Sequence, residues 1–112
     1  MAGKFELKKA SNGQFYFHLK ASNGQVILAS EQYKEKRSAL GGIESVRKNA
    51  PLDNRYDRRT AKNDQPYFVL KASNGEIIGQ SETYSSAAAL ENGIESVKKN
   101  APDAAVDAQA AA

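Results

Sequence analysis

Four residues have the types and spacing that could bind a nucleic acid. Tyr16 and Lys20 lie four positions apart, and Tyr67 and Lys71 repeat that spacing in the second half of the chain. Tyrosine rings can stack on unpaired bases and ammonium groups can neutralise phosphates, so a sheet face carrying both suits a single strand. Tyrosine and lysine are also ordinary occupants of a solvated strand face, and no RNA-binding signature accompanies them. These four residues form the candidate face for a nucleic acid or another partner.

The residues that catalysis or metal binding would need are sparse. The chain has one histidine, His18, and no cysteine, and Val69 takes the place of His18 in the second half. The spacing of His18 to carboxylates fits no metal site, and no set of nucleophile, base and orienting residue can be assembled. The sequence therefore predicts no catalytic residue, no metal site and no cofactor.

The acidic residues of the repeated GIESV segment have a structural interpretation. Glu44 and Glu95 each stand four residues before a lysine, Lys48 and Lys99. An acid placed four residues N-terminal to a base is the favourable order for an exposed helical ion pair. We interpret both glutamates as members of surface pairs rather than as catalytic acids.

The chain is one unit written twice. Residues 17–51 return as residues 68–102, at a constant offset of 51 positions and without a gap. A unit of this size is too small to build its own core without a disulfide, a metal or a partner, and cysteine is absent. We predict that residues 1–102 form a single domain of two repeats, 1–51 and 52–102, which share one core.

Each repeat shows three strand signals followed by a helical one. Residues 4–9 and 15–21 alternate apolar and polar side chains, as half-buried strands do. The Asn-Gly pairs Asn23-Gly24 and Asn74-Gly75 predict hairpin turns of two residues with positive φ at both. In that register Leu19 faces Leu28, and Lys20 faces Ile27 on the opposite side of the sheet. A loop longer by one residue would instead move Ile27 inward. Because these glycines precede strands rather than helices, they do not form a phosphate-binding loop.

The helical segments carry an apolar stripe and an unexpected glycine. Apolar residues recur at spacings of three and four before Pro51 and Pro102, which forbid continuation of the helix. Gly42 and Gly93 lie inside these helices, where glycine costs about 1 kcal/mol relative to alanine. We expect compensation through close backbone approach to the sheet or to the other helix. Residues 103–112 lack a periodic apolar face, so we predict a disordered tail.

The doubled pattern LKAxNGxxI and GIxSVxxN resembles the YegP-like family of small uncharacterised bacterial proteins. Residues 19–27 with 42–49 carry it first, and residues 70–78 with 93–100 carry it again. The resemblance covers nearly the whole chain, from Gly3 to Asn100. It implies a pseudo-symmetric assembly of β-β-β-α units whose strands enter a shared sheet. It brings no established activity, cofactor or catalytic residue.

The predicted fold class is α+β. Two tandem β-β-β-α repeats with pseudo-twofold symmetry share one antiparallel sheet, with two helices packed on one side. The predicted core takes the same positions from both repeats, namely Phe5, Phe17, Leu19, Ile43 and Val46, with Tyr56, Phe68, Leu70, Ile94 and Val97.

The totals restrict partners and location only loosely. The net charge is +3, and residues 1–51 hold the basic excess, with nine Lys or Arg against four Glu. No apolar run has the length of a signal peptide or of a membrane span, so we expect a cytoplasmic protein without a membrane partner. We expect a binding or protein-interaction module that is not an enzyme and that uses a protein partner or self-association. Weak binding of single-stranded nucleic acid through Tyr16, Lys20, Tyr67 and Lys71 is the alternative.

Overall fold

The computed structural model describes residues 3–108, and these form one sheet and two helices. The element order is three strands and a helix, twice, followed by one short strand. The elements are β1 Lys4–Lys9, β2 Phe15–Lys20, β3 Val26–Ala29, α1 Lys36–Asn49, β4 Tyr56–Thr60, β5 Pro66–Lys71, β6 Ile77–Gln80, α2 Ala87–Asn100 and β7 Ala105–Asp107, with a 3₁₀ turn at Asp53–Arg55.

In the described part of the chain, seven strands follow the order β4-β5-β6-β3-β2-β1-β7. The third strands of the two repeats therefore meet at the centre, where β3 and β6 pair through Ala29 and Gln80. The predicted α+β class is confirmed, but the sheet is mixed rather than antiparallel, because β7 pairs with β1 in parallel. The pseudo-twofold axis stays a prediction.

The segment predicted to be a disordered tail contains β7. Ala105 pairs with Lys4 and Val106 with Phe5, while Ala104 is 1 % exposed. The guanidinium of Arg47 donates to the carbonyl of Ala104 and holds the entry to the strand. Backbone pairing to an open strand edge needs no apolar period, which explains why the pattern of the sequence did not reveal it. Residues 109–112 of the predicted tail lie outside the described residues.

The Asn-Gly hairpins are one residue longer than predicted. The amide of Gly24 donates to the carbonyl of Ala21, and the amide of Ala21 donates to the carbonyl of Gln25. Gly24 has a φ of 86°, whereas Asn23 stays outside the left-handed region. This is the three-residue loop built from a type I turn and a left-handed glycine, which also favours Asn-Gly. Gly75, at φ 87° after Asn74, repeats it in the second hairpin.

The longer loop changes the register beside the turn. Lys20 faces Val26 rather than Ile27, and a bulge restores the predicted pairing of Leu19 with Leu28. Ile27 turns inward and is only 8 % exposed. The prediction that placed Ile27 beside Lys20 on the open side was therefore wrong, because a bulged residue changes faces.

All ten predicted core residues are buried in one apolar cluster, to which the sheet and both helices contribute. The two helix glycines face tyrosines of the same repeat. A Cβ at Gly42 would meet the ring and hydroxyl of Tyr33, and a Cβ at Gly93 would meet those of Tyr84. Close approach to the sheet or to the other helix was expected. The helices do approach the sheet side of the core, because a Cβ at Gly42 would also lie 3.1 Å from the ring of Phe17 on β2, but the nearest contact at both glycines is a tyrosine ring.

Candidate functional site

The side of the sheet that faces away from the helices, here called the open face, carries the four residues of the candidate site. Tyr16 and Lys20 lie on β2, and Tyr67 and Lys71 lie on β5, all of them half-buried. The strands β3 and β6 separate the two pairs. The sequence therefore placed these residues on one face, but they form two separate clusters rather than one site.

In the first cluster, the ammonium group of Lys20 is ion-paired with the carboxylate of Glu6. The ammonium group of Lys20 lies 3.0 Å from Glu6, and those of Lys4 and Lys8 each lie 3.6 Å from the same side chain. The hydrogen bond from Lys20 is the largest of the influences that lower the pKa of Glu6. One carboxylate thus stands among three lysines, and Lys20 points towards β1.

The second cluster has the same arrangement on β4 and β5. Asp57 lies 3.0 Å from Arg59 and 3.4 Å from Lys71. The hydrogen bond from Arg59 is the largest influence that lowers the pKa of Asp57, and Lys71 adds to it. Lys71 points towards β4, away from the centre of the sheet. The cationic heads of both candidate lysines are therefore engaged inside the protein.

His18 stands on the open face between Tyr16 and Lys20. Its ring lies 5.3 Å from that of Tyr16 in an edge-on arrangement. Partial burial, followed by the positive charge of Lys8, lowers the pKa of His18. The lowered pKa disfavours the charged imidazolium, so His18 adds little positive charge to this face near pH 7.

A groove of about 480 Å³ lies between the two clusters, at the junction of the repeats. Its walls come from β3 and β6 and from the residues that follow them, and no helical residue lines it, so it opens on the open face. Its lining includes Val26, Ala29 and Glu31 from the first repeat, and Ile77, Gln80 and Glu82 from the second. At this junction β3 and β6 are paired through Ala29 and Gln80 alone.

The groove has apolar walls and two exposed acids. Ile77 is 39 % exposed and Val26 is partly exposed, so neither side chain is covered by the fold. Within residues 3–108, no cationic side chain lies within ion-pair distance of Glu31 or Glu82. Sequence reasoning missed this groove, although the equal offset of Glu31 and Glu82 marked both as repeated positions.

The helical glutamates pair with different bases from those predicted. Glu44 contacts Arg47, and Glu95 lies 3.9 Å from Lys98, so both pairs span three residues rather than four. The interpretation of surface ion pairs holds, and Lys48 and Lys99 were the wrong partners. The predicted partner sits one position too far along the helix, although both spacings bring side chains together.

Among residues 3–108, no group of three or more histidine, cysteine or carboxylate side chains is arranged to hold a metal ion. None of the described helices is both long and apolar enough to cross a membrane. The chain is thus a small α+β protein with a helix-covered face and an open face that carries an apolar, acid-flanked groove.

The chain belongs to the family described as a domain of unknown function, DUF1508, whose model matches residues 10–57 and again residues 61–107. The resemblance to YegP-like proteins is confirmed. A UPF0339 protein of Pseudomonas aeruginosa is 56 % identical over 104 residues, which cover 93 % of this chain and 94 % of the relative. The UPF0339 protein YegP of Yersinia pestis is 54 % identical over 98 residues, 88 % of either chain.

Two solved structures share the fold. The solution structure of a UPF0339 protein from Shewanella oneidensis has a TM-score of 0.90 and 54 % identity, covering 96 % of this chain and 92 % of its own. That of yegP from E. coli, described as a protein of unknown function, has a TM-score of 0.92 and 51 % identity, with 97 % and 94 % covered. Both likenesses support the α+β fold across almost the full length.

Proposed function

We propose that the protein is a non-enzymatic protein-interaction module that binds a partner on its open face, at the groove between β3 and β6. The observation that carries the proposal is the groove itself, where Val26 and Ile77 remain accessible. Apolar residues in a concave, partly polar site are what a peptide or protein partner buries on binding. Half-exposed tyrosines, Tyr16 and Tyr67, flank it at greater distance, and tyrosine is enriched in interfaces.

A peptide-display library selected against the full-length chain would test this proposal. Two tryptophan variants serve as matched targets: Ala29→Trp fills the groove, and Leu52→Trp adds the same ring at a residue that is 42 % exposed elsewhere. We expect selected peptides to bind wild type and Leu52→Trp equally and to bind Ala29→Trp much more weakly. Their binding to wild type should shift the amide signals of β3 and β6. Binding that survives Ala29→Trp, or no enrichment at all, would contradict the proposal. Circular dichroism confirms that each variant is folded.

Binding of single-stranded nucleic acid is the competing function. Its support is that Tyr16, Lys20, Tyr67 and Lys71 share one face with accessible rings. The ion pairs of Lys20 with Glu6 and of Lys71 with Asp57 oppose it, because phosphate contacts would have to replace them. A titration with mixed single-stranded oligonucleotides separates the two functions. Amide shifts at residues 16–20 and 67–71 that fade as salt rises would favour the nucleic acid, and their absence would remove it.

A further inference from the structure

Building on the proposed interaction function, we infer that the groove binds an extended segment of a partner protein that carries two basic side chains four residues apart. The acceptors are Glu31 and Glu82, at the two ends of the groove. Three properties support this occupant: the spacing of the two acids, their lack of a cationic neighbour, and the apolar side chain beside each of them.

The spacing follows from the single registered pair. Glu31 lies two residues beyond Ala29, and Glu82 lies two residues beyond Gln80. Because β3 and β6 run antiparallel, these steps lead in opposite directions. Both acids lie just past the strand ends, where the amides of Ser30 and Ser81 still donate to the neighbouring strands, so the rise of an extended chain separates them by roughly 14 Å along the strand direction. In an extended peptide, side chains four residues apart point to the same face and are separated by the same roughly 14 Å.

The charges of the open face leave these two acids available. The lysines that stand next to the groove, Lys20 opposite Val26 and Lys71 opposite Ile77, direct their ammonium groups outward to Glu6 and Asp57. Glu31 and Glu82 are exposed and have no ion pair within the described chain. Cations outnumber carboxylates in both flanking clusters, but the two lysine heads next to the groove turn away from it, so the groove is the acidic part of the open face.

Each end of the groove can hold a long basic side chain along its full length. Counting from the Ala29 and Gln80 pair places Val26 towards Glu82, and Ile77 towards Glu31. The methylene stem of a lysine or arginine would pack on the apolar residue while its head reaches the acid. Ala29 between the ends leaves space for a further side chain of the peptide at the middle position.

The test uses two five-residue peptides of identical composition with blocked termini. One has lysine at positions 1 and 5 with leucine at position 3, and the other has both lysines at positions 1 and 2. We expect the first to bind more tightly and to shift the amides of Ala29 and Gln80. Glu31→Gln and Glu82→Gln should each weaken it about threefold, as loss of one exposed ion pair does. Glu95→Gln, on the helical side, should leave binding unchanged.

Every other result overturns the inference in a recognisable way. Equal binding of both peptides would show that the four-residue spacing is not recognised. Binding of free spermine as tight as that of the first peptide would make the groove a small-polycation site instead. Library peptides that bind at the groove but lack paired basic residues would remove this inference and leave the proposed interaction function standing.

Discussion

Leu28 fills the space that a side chain at Gly79 would need. A Cβ built on Gly79 would lie 2.6 Å from Cδ2 of Leu28, closer than van der Waals contact allows. Residues 28 and 79 are the same position of the two repeats, offset by 51. The two repeats therefore meet as unlike partners at the centre of the sheet, and two leucines there would collide.

Exchanging these two residues should restore much of what each single change loses. Leu28→Gly leaves a cavity and should lower the free energy of unfolding by about 3 kcal/mol or more. Gly79→Leu overpacks the junction and should cost about 1–3 kcal/mol. The double variant should unfold at a urea concentration well above that expected from adding the two losses. Additive losses would show that the leucine and the glycine do not complement each other.

Two adjacent glycines of α1 should respond to alanine in opposite ways. A Cβ at Gly42 would meet the hydroxyl of Tyr33, whereas a Cβ at Gly41 would meet nothing within 4 Å. Gly41→Ala should raise stability by about 1 kcal/mol through helix propensity. Gly42→Ala should lower it by about 1–3 kcal/mol, because Tyr33 has to move.

The larger change Gly93→Leu should destabilise severely, because its side chain would enter the space of Tyr84. Thermal melting of all three glycine variants provides the measurement. Equal responses at residues 41 and 42 would contradict the packing against Tyr33, and near wild-type melting of Gly93→Leu would contradict that against Tyr84.

The side-chain pattern predicted the buried faces of individual strands and helices, and it missed the features that depend on pairing between strands distant in sequence. Alternation on the strands predicted the burial of Phe5 and Phe17, and the helical stripe predicted that of Ile43, because each signal lies within a few residues. Asn-Gly was ambiguous between two turn geometries, and only the bulge at Ile27 decides which residues face the helices. The groove arises where β3 meets β6, a pairing across about 50 residues that no local period records.

The C-terminal strand should depend on Arg47. Its guanidinium donates to the carbonyl of Ala104 and lies 5.6 Å from the ring of Phe5, next to the pairing of β1 with β7. Arg47→Met keeps the stem but removes this donor, so amide exchange at residues 104–107 should become faster. The loss of a charge-assisted bond should cost about 1–2 kcal/mol overall.

Lys98→Met is the matched control for that variant. Lys98 stands at the position of Arg47 in the second repeat, and its ammonium group contacts Asp53 at 2.8 Å instead of the C-terminal segment. Lys98→Met should therefore leave amide exchange at residues 104–107 unchanged. Equal acceleration in both variants would indicate general destabilisation rather than release of β7.

Acid should weaken the fold through the carboxylates of the open face. Hydrogen bonds, from Lys20 to Glu6 and from Arg59 to Asp57, are the leading influences that lower the pKa of each acid. The unfolded chain then binds protons more readily than the folded one, so the stabilisation is complete above the unfolded pKa near 4 and is lost as pH falls through the lower folded pKa. Urea midpoints between pH 7 and pH 2.5 should therefore fall on acidification, and less steeply for Glu6→Gln than for Glu95→Gln. Parallel curves of urea midpoint against pH for these two variants would show that Glu6 does not contribute to the pH dependence of stability. High salt should flatten the wild-type curve, because these charged groups are close to solvent.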